Sequence, residues 1–240
     1  MTQNFWSNIT GQNTMTFQGT IGKLAYLLSI VAITGLISAY VALDALAAGN
    51  SSVIGGLTWG GMLGGLVVGL MLGFMRPANP APLMTIYAVL MGMFVGSISL
   101  LFEAFYSGII IQAAFGTVFI TGTMLLIYSS RVIKATPTFN KVIGSLTLSI
   151  FMMYGVSIIF TMFTPFEIPY LHTSGPIGIG ITLFILTIAA LSLISDFGFI
   201  ESGVRMNAPK NAEWWGAFGV LVTIIWIYIE MVRLLSKLRD

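Results

Sequence analysis

The sequence has no cysteine and a single histidine in 240 residues. Disulfides, thiolate metal sites and a cysteine nucleophile are therefore excluded, and one imidazole cannot build a zinc site. Charge is scarce as well. Asp, Glu, Lys and Arg make up 8% of the chain, against about 25% in ordinary soluble domains. The basic residues are scattered and leave a net charge of only +2, so there is no patch for nucleic acid. Apolar side chains fill the space: 57% of residues, with a mean hydropathy of +0.96. One bilayer span needs about 20 such residues. Seven stretches qualify, so the expectation is an all-α polytopic membrane protein in direct contact with the lipid bilayer.

Residues 1–20 are rich in Asn, Gln and Thr and lack a basic leader. They read as a polar, partly disordered tail, not a signal peptide. A single transmembrane domain is expected over 21–238, with spans at about 22–48, 54–75, 83–102, 109–128, 142–163, 177–200 and 214–235. In the second span Gly61, Gly65, Gly69 and Gly73 fall four apart, with Gly56, Gly60 and Gly64 in a second row. Small residues at this spacing let helix backbones approach closely. A phosphate-cradling glycine loop would need a strand, a Lys and a Ser or Thr that are not there.

Orientation follows from Lys and Arg. With the amino terminus in the cytoplasm, Lys23, Arg76, Arg131, Lys134, Lys141, Arg205 and Lys210 all fall on that side. The opposite loops then carry Glu103, Glu167 and His172, with Asp44 nearby and no Lys or Arg. His172 is a lone loop histidine and is given no ligand role. Arg233, Lys237 and Arg239 break the pattern if the last helix crosses fully, which is the expected course.

Two spans carry acids on faces of small and polar residues. On the last helix the face is Gly216, Gly219, Thr223, Trp226 and Glu230; on the sixth it is Gly178, Thr182, Ile185, Ala189, Ser192 and Asp196. Lipid does not reward such faces, whereas neighbouring helices do. The last helix is therefore expected at the centre of the bundle. An acid inside a span is a functional hypothesis by default. If Asp196 and Glu230 met, one would keep its proton and the two would titrate as a unit. Their depths match only if the last helix begins well below the membrane surface, with Trp214 and Trp215 outside the apolar slab, and that is the expected arrangement. Asp196 lies about 7 Å from the cytoplasmic end if the sixth span stops near Glu201, and Glu230 about 24 Å in from Trp214.

Plainer readings stand beside these. Asp196 could be an interfacial acid at a helix end. Glu230 and Arg233 could form a local ion pair three residues apart. Arg76 could simply fix topology. Asp44 and Glu103 could be solvated loop acids, not groups that draw in cations.

The stretch Ser195-Asp196-Phe197-Gly198-Phe199-Ile200-Glu201 resembles the acid-containing end of the sixth helix in the Bax inhibitor family. The run from Trp226 through Glu230 to Leu235 resembles that family's seventh helix, and Gly73-Phe74-Met75-Arg76 the basic end of its second. Glu213-Trp214-Trp215-Gly216-Ala217-Phe218-Gly219 is similar to a bacterial subgroup. By segment count and order the resemblance runs from about residue 22 to 238. It implies seven helices with the last one central, in a bacterial inner membrane. It implies a pH-sensitive calcium leak, with the paired acids on Asp196 and Glu230 and a latching arginine on Arg76. The latch would be an Arg76–Asp196 ion pair, released when the acid pair changes its protonation. Asp44 and Glu103 are candidates for cation access at the outer mouth.

Some bacterial relatives restrain a membrane-bound ATP-dependent protease, so a regulatory protein with residues 1–20 as its handle is the alternative function. An enzyme is not expected: no zinc-protease helix signature is present. An intramembrane aspartyl protease is not excluded by composition. No cofactor is expected.

Overall fold

The computed structural model describes residues 14–163 and 175–240. Among them are seven helices: α1 (Phe17–Ala47), α2 (Ser51–Met75), α3 (Ala81–Phe105), α4 (Ile109–Ser129), α5 (Pro137–Phe163), α6 (Pro176–Arg205) and α7 (Ala212–Arg239). All seven are long and apolar enough to cross a bilayer. Even α4, with 21 residues, extends about 30 Å. Glu167, His172 and residues 1–13 lie outside the described residues.

Helix ends differ from the expected spans for local reasons. α1 starts at Phe17 because Thr16 caps it, accepting from Gly19 N at 3.0 Å. Residues 14–20, expected within the polar tail, instead hold the Thr16 cap and the first turn of α1. α5 starts at Pro137, a residue suited to a first helical position, with Thr136 Oγ1 accepting from Phe139 N at 3.2 Å. α6 continues to Arg205 through residues too polar to register as a span. α2 ends with Arg76 in the left-handed region at φ 41°, and Arg131 and Asn207 follow α4 and α6 in the same way.

The chain forms two compact units: Met1–Ala104 with Phe199–Val222, and Phe105–Gly198 with Thr223–Asp240. In the first unit, glycine sets the closest helix contacts. Gly61, Gly65 and Gly69 of α2 meet Leu90, Met91 and Tyr87 of α3, and Gly64 meets Leu90. Gly56, Gly60 and Gly73 have open space beside them, so only part of the expected glycine rows packs. The tighter contact was not anticipated. It joins α1 and α3, where a Cβ on Gly96 would overlap the Gly35 carbonyl and one on Gly92 the Thr34 hydroxyl. Gly96→Ala should therefore cost about 1–3 kcal/mol. Gly56→Ala should gain up to about 1 kcal/mol of helix propensity. Thermal unfolding in detergent separates the two.

In the second unit α4 and α7 run antiparallel. Arg239 donates to the Ser107 carbonyl and to Gln112 Oε1, both at 2.9 Å, and Gly116 faces Met231. The Tyr106 hydroxyl donates to Asp240, and that bond holds the phenol above its ordinary range. Along α7 no residue from Ala212 to Lys237 is exposed. The basic carboxyl end is occupied as well. Arg233 is taken by Glu230, Lys237 donates to the Gly178 carbonyl at 3.2 Å, and Arg239 is held by α4. These bonds explain how a helix end can be basic where the loops are not.

Candidate functional site

Polar side chains of α5, α6 and α7 follow one another through the second unit. Ser195 Oγ donates to Asn140 Oδ1 at 3.0 Å, and the Thr147 and Ser192 hydroxyls lie 3.1 Å apart. Ser192 and Asp196 are one turn apart on α6, so they share a face. Thr223 Oγ1 donates to Asp196 Oδ2 at 2.7 Å. Two turns further along α7, Glu230 is 1% exposed. Its Oε1 accepts from the Tyr154 hydroxyl at 2.9 Å and from Arg233 at 3.2 Å. Arg233 also donates to Tyr154, and its guanidinium stands 4.8 Å from the centre of that ring. A buried carboxylate needs this kind of company, because an unpaired one is costly in a bilayer interior.

The two acids do not meet. Asp196 is bound to Thr223, and Glu230 lies about 10 Å further on at 1.5 Å per residue. The length of α6 gives the reason. With α6 ending at Arg205, Asp196 sits about 14 Å from that end, a depth that matches Thr223, about 16 Å into α7. The expected acid–acid contact is thus replaced by a carboxylate–hydroxyl bond and a separate Tyr154–Glu230–Arg233 cluster. The local Glu230–Arg233 ion pair is present.

Other expected residues fall elsewhere. Arg76 is exposed at the end of α2, and its side chain makes no ion pair among the described residues. Asp44 is exposed in the last turn of α1, and Glu103 is partly buried in the last turn of α3.

The first unit holds an acid that sequence reasoning passed over. Glu213, in the first turn of α7, is 0% exposed. It pairs with Lys23 of α1 and accepts from Thr16 N at 3.0 Å and Thr16 Oγ1 at 2.9 Å. Thr14 bridges to Pro209, Met15 N donates to the Ala208 carbonyl at 2.8 Å, and buried Met15 fills a notch at Gly203 and Gly216. The chain ahead of α1 is thus strapped to the α6–α7 connection. One sequence signal was available, an acid placed where a helix N-terminus favours negative charge. Its partner, nearly 200 residues away, gave none. Tyr154 had a signal too: a tyrosine in an apolar span needs a partner for its hydroxyl.

A family model described as Bax inhibitor 1 like matches residues 2–240. The chain belongs to the Bax inhibitor 1 like family. No curated protein and no solved structure matches it. Family membership accounts for a seven-helix membrane protein over essentially the whole chain. Within this Bax inhibitor 1 like chain, the acid pair implied by the resemblance takes another form. Asp196 is in place, but the α7 group that meets it is a threonine.

Proposed function

We propose that this Bax inhibitor 1 like protein is a proton-responsive cation leak, non-enzymatic, with calcium as the permeant ion. One observation carries the reading: two carboxylates within membrane-spanning helices of the same unit each have polar partners, Asp196 with Thr223 and Glu230 with Tyr154 and Arg233. Calcium is bound by carboxylate and carbonyl oxygens, and the choice of calcium rests on the family resemblance. The charge pattern supports a cytoplasmic amino terminus, and the resemblance a bacterial inner membrane. Asp44 and Glu103, at the helix ends away from the basic loops, would draw cations in. Arg76 would act as the latch, held in a left-handed conformation that costs a non-glycine residue about 1–2 kcal/mol.

Gating then differs from a shared proton. Protonating Asp196 exchanges a charge-assisted bond from Thr223 for a neutral one, about half as strong. Neutralising Glu230 by substitution would leave Arg233 held by Tyr154 alone. The groups facing Glu230 are Tyr154 from α5 and Arg233 from α7, with Lys237 one further turn along. In calcium-indicator liposomes, Glu230→Gln should lower uptake at neutral pH about tenfold, equivalent to about 1.4 kcal/mol of barrier. Wild-type uptake in that variant would remove Glu230 from the path.

A regulatory role toward a membrane-bound protease is the second reading. The strap of Thr14–Thr16 on the α6–α7 connection favours it, since a partner holding residues 1–13 would pull directly on α7. Deleting residues 1–13, and sparing the strap, should abolish partner capture and leave uptake intact.

A further inference from the structure

A cleft of about 620 Å³ opens in the first unit where α1, α3 and α7 begin. Its volume is that of a small-molecule site, about 300–1,000 Å³. Gly22, Lys23 and Tyr26 of α1, Pro82 and Thr85 of α3, and Trp214 of α7 line it. Gly22 supplies room, since a Cβ there would meet nothing within 4 Å. Gly22, Tyr26 and Pro82 are exposed, so the cleft opens outward from the helices. The surface beside it is apolar. Ile33, two turns beyond Tyr26 on the same face of α1, is 57% exposed, and Ile86, one turn beyond Pro82, is 48% exposed. The polar side is cationic. The Lys23 ammonium stands 5.4 Å from the centre of the Trp214 ring, and the Tyr26 ring meets that indole edge-on at 6.0 Å. An ammonium has three N–H donors, and Glu213 takes one. Asn211 Nδ2 donates to the Ala78 carbonyl at 3.2 Å and ties the α6–α7 connection to the α2–α3 connection. Those connections carry Lys210 and Arg76, both exposed and without an ion pair among the described residues.

We propose that this cleft binds one anionic glycerophospholipid from the leaflet on the side of the basic loops. Depth fits a lipid. From Gly19 to Tyr26 the cleft extends about 10 Å along α1 at 1.5 Å per residue. The headgroup layer of a bilayer is about 5–8 Å deep on each side. A cleft that starts at helix ends therefore runs from headgroups into tails, the boundary that Tyr and Trp favour. Charge fits an anion. The lipid phosphate takes the remaining Lys23 donors, and the Tyr26 and Thr85 hydroxyls can donate to it or to the glycerol oxygens. Basic pockets between spans on that side suit anionic headgroups, and Lys210 and Arg76 leave this end of the unit positive. An acyl chain covers the exposed apolar surface at Ile33 and Ile86, which a soluble anion would leave bare. The proposal does not depend on the leak.

Native mass spectrometry of the detergent-solubilised protein, titrated with defined lipids, tests it. Wild type should bind one phosphatidylglycerol at least about fivefold more tightly than phosphatidylcholine with the same chains, the discrimination expected from one basic residue near the surface. Gly22→Leu puts a side chain into the cleft and should weaken binding of that first phosphatidylglycerol about tenfold. Its unfolding midpoint should be no lower than that of wild type, because leucine is the better helix former. Gly60→Leu is the control: it adds the same bulk at an exposed position of α2 where a Cβ also meets nothing, and should bind as wild type does. Lys23→Gln combined with Glu213→Gln removes the ammonium without stranding a charge, and should weaken phosphatidylglycerol binding about fivefold. Equal affinities for the two lipids, wild-type binding by Gly22→Leu or by the double variant, or an equal loss in Gly60→Leu would each overturn the proposal. Displacement of the lipid by glycerol phosphate would overturn it too, marking the cleft as a site for a soluble phosphate.

Discussion

Glu213→Ala should lower the stability of the protein by about 3 kcal/mol, seen as a fall in the unfolding midpoint in detergent. The carboxylate is fully buried and satisfies three donors at once: the Lys23 ammonium, the Thr16 amide and the Thr16 hydroxyl. Removing it strands a cation and a backbone N–H, and stranding one partner of a buried pair is the expensive case. The double variant Glu213→Ala with Lys23→Met removes both charges and should recover part of the loss. Gly19→Ala should act in the same direction as Glu213→Ala, because its Cβ would overlap the Glu213 carboxylate. A midpoint unmoved by Glu213→Ala would mean that water, not the strap, satisfies this end of α7.

Thr223→Val should cost about 2 kcal/mol, since a hydrogen bond to a charged group contributes about 1.5–3 kcal/mol. Valine matches threonine in shape, so the loss reports the bond to Asp196 and not packing. The sign with pH follows from the chemistry. The hydroxyl donates to an ionised carboxylate more strongly than to a protonated one. The penalty should therefore be larger at pH 8 than at pH 5, and should shrink as Asp196 takes up its proton. Unfolding midpoints of wild type and variant at the two pH values give the difference. An equal penalty at both would show that Asp196 does not change charge over that range.

The helices were legible because apolar length is written residue by residue. The expected spans fall on the seven helices, with errors at polar ends such as the start of α5 and the stretch of α6 beyond Ile200. Those ends are fixed by caps and by protein around the helix, which hydropathy does not see. Asp196 and Glu230 stood out as acids in apolar runs. Their partners did not. The choice of Thr223 for Asp196 depends on where α6 stops, and five extra residues shift the match by more than a turn. Glycine rows were readable as a pattern but not as a choice of face. Gly61 and Gly65 touch α3 while Gly56 and Gly60 touch nothing, and the Gly35–Gly96 contact pairs glycines that share no repeat. The Glu213–Lys23 pair joins sequence-distant residues that are each unremarkable as surface charges.

Calcium uptake by liposomes across a pH series, with wild type beside the double variant Asp196→Asn/Glu230→Gln, bears most directly on the proposal that these two acids govern a leak. Wild-type uptake should change with pH through the carboxylate range, and the double variant should be slow and flat. Equal, parallel curves for the two proteins would contradict it.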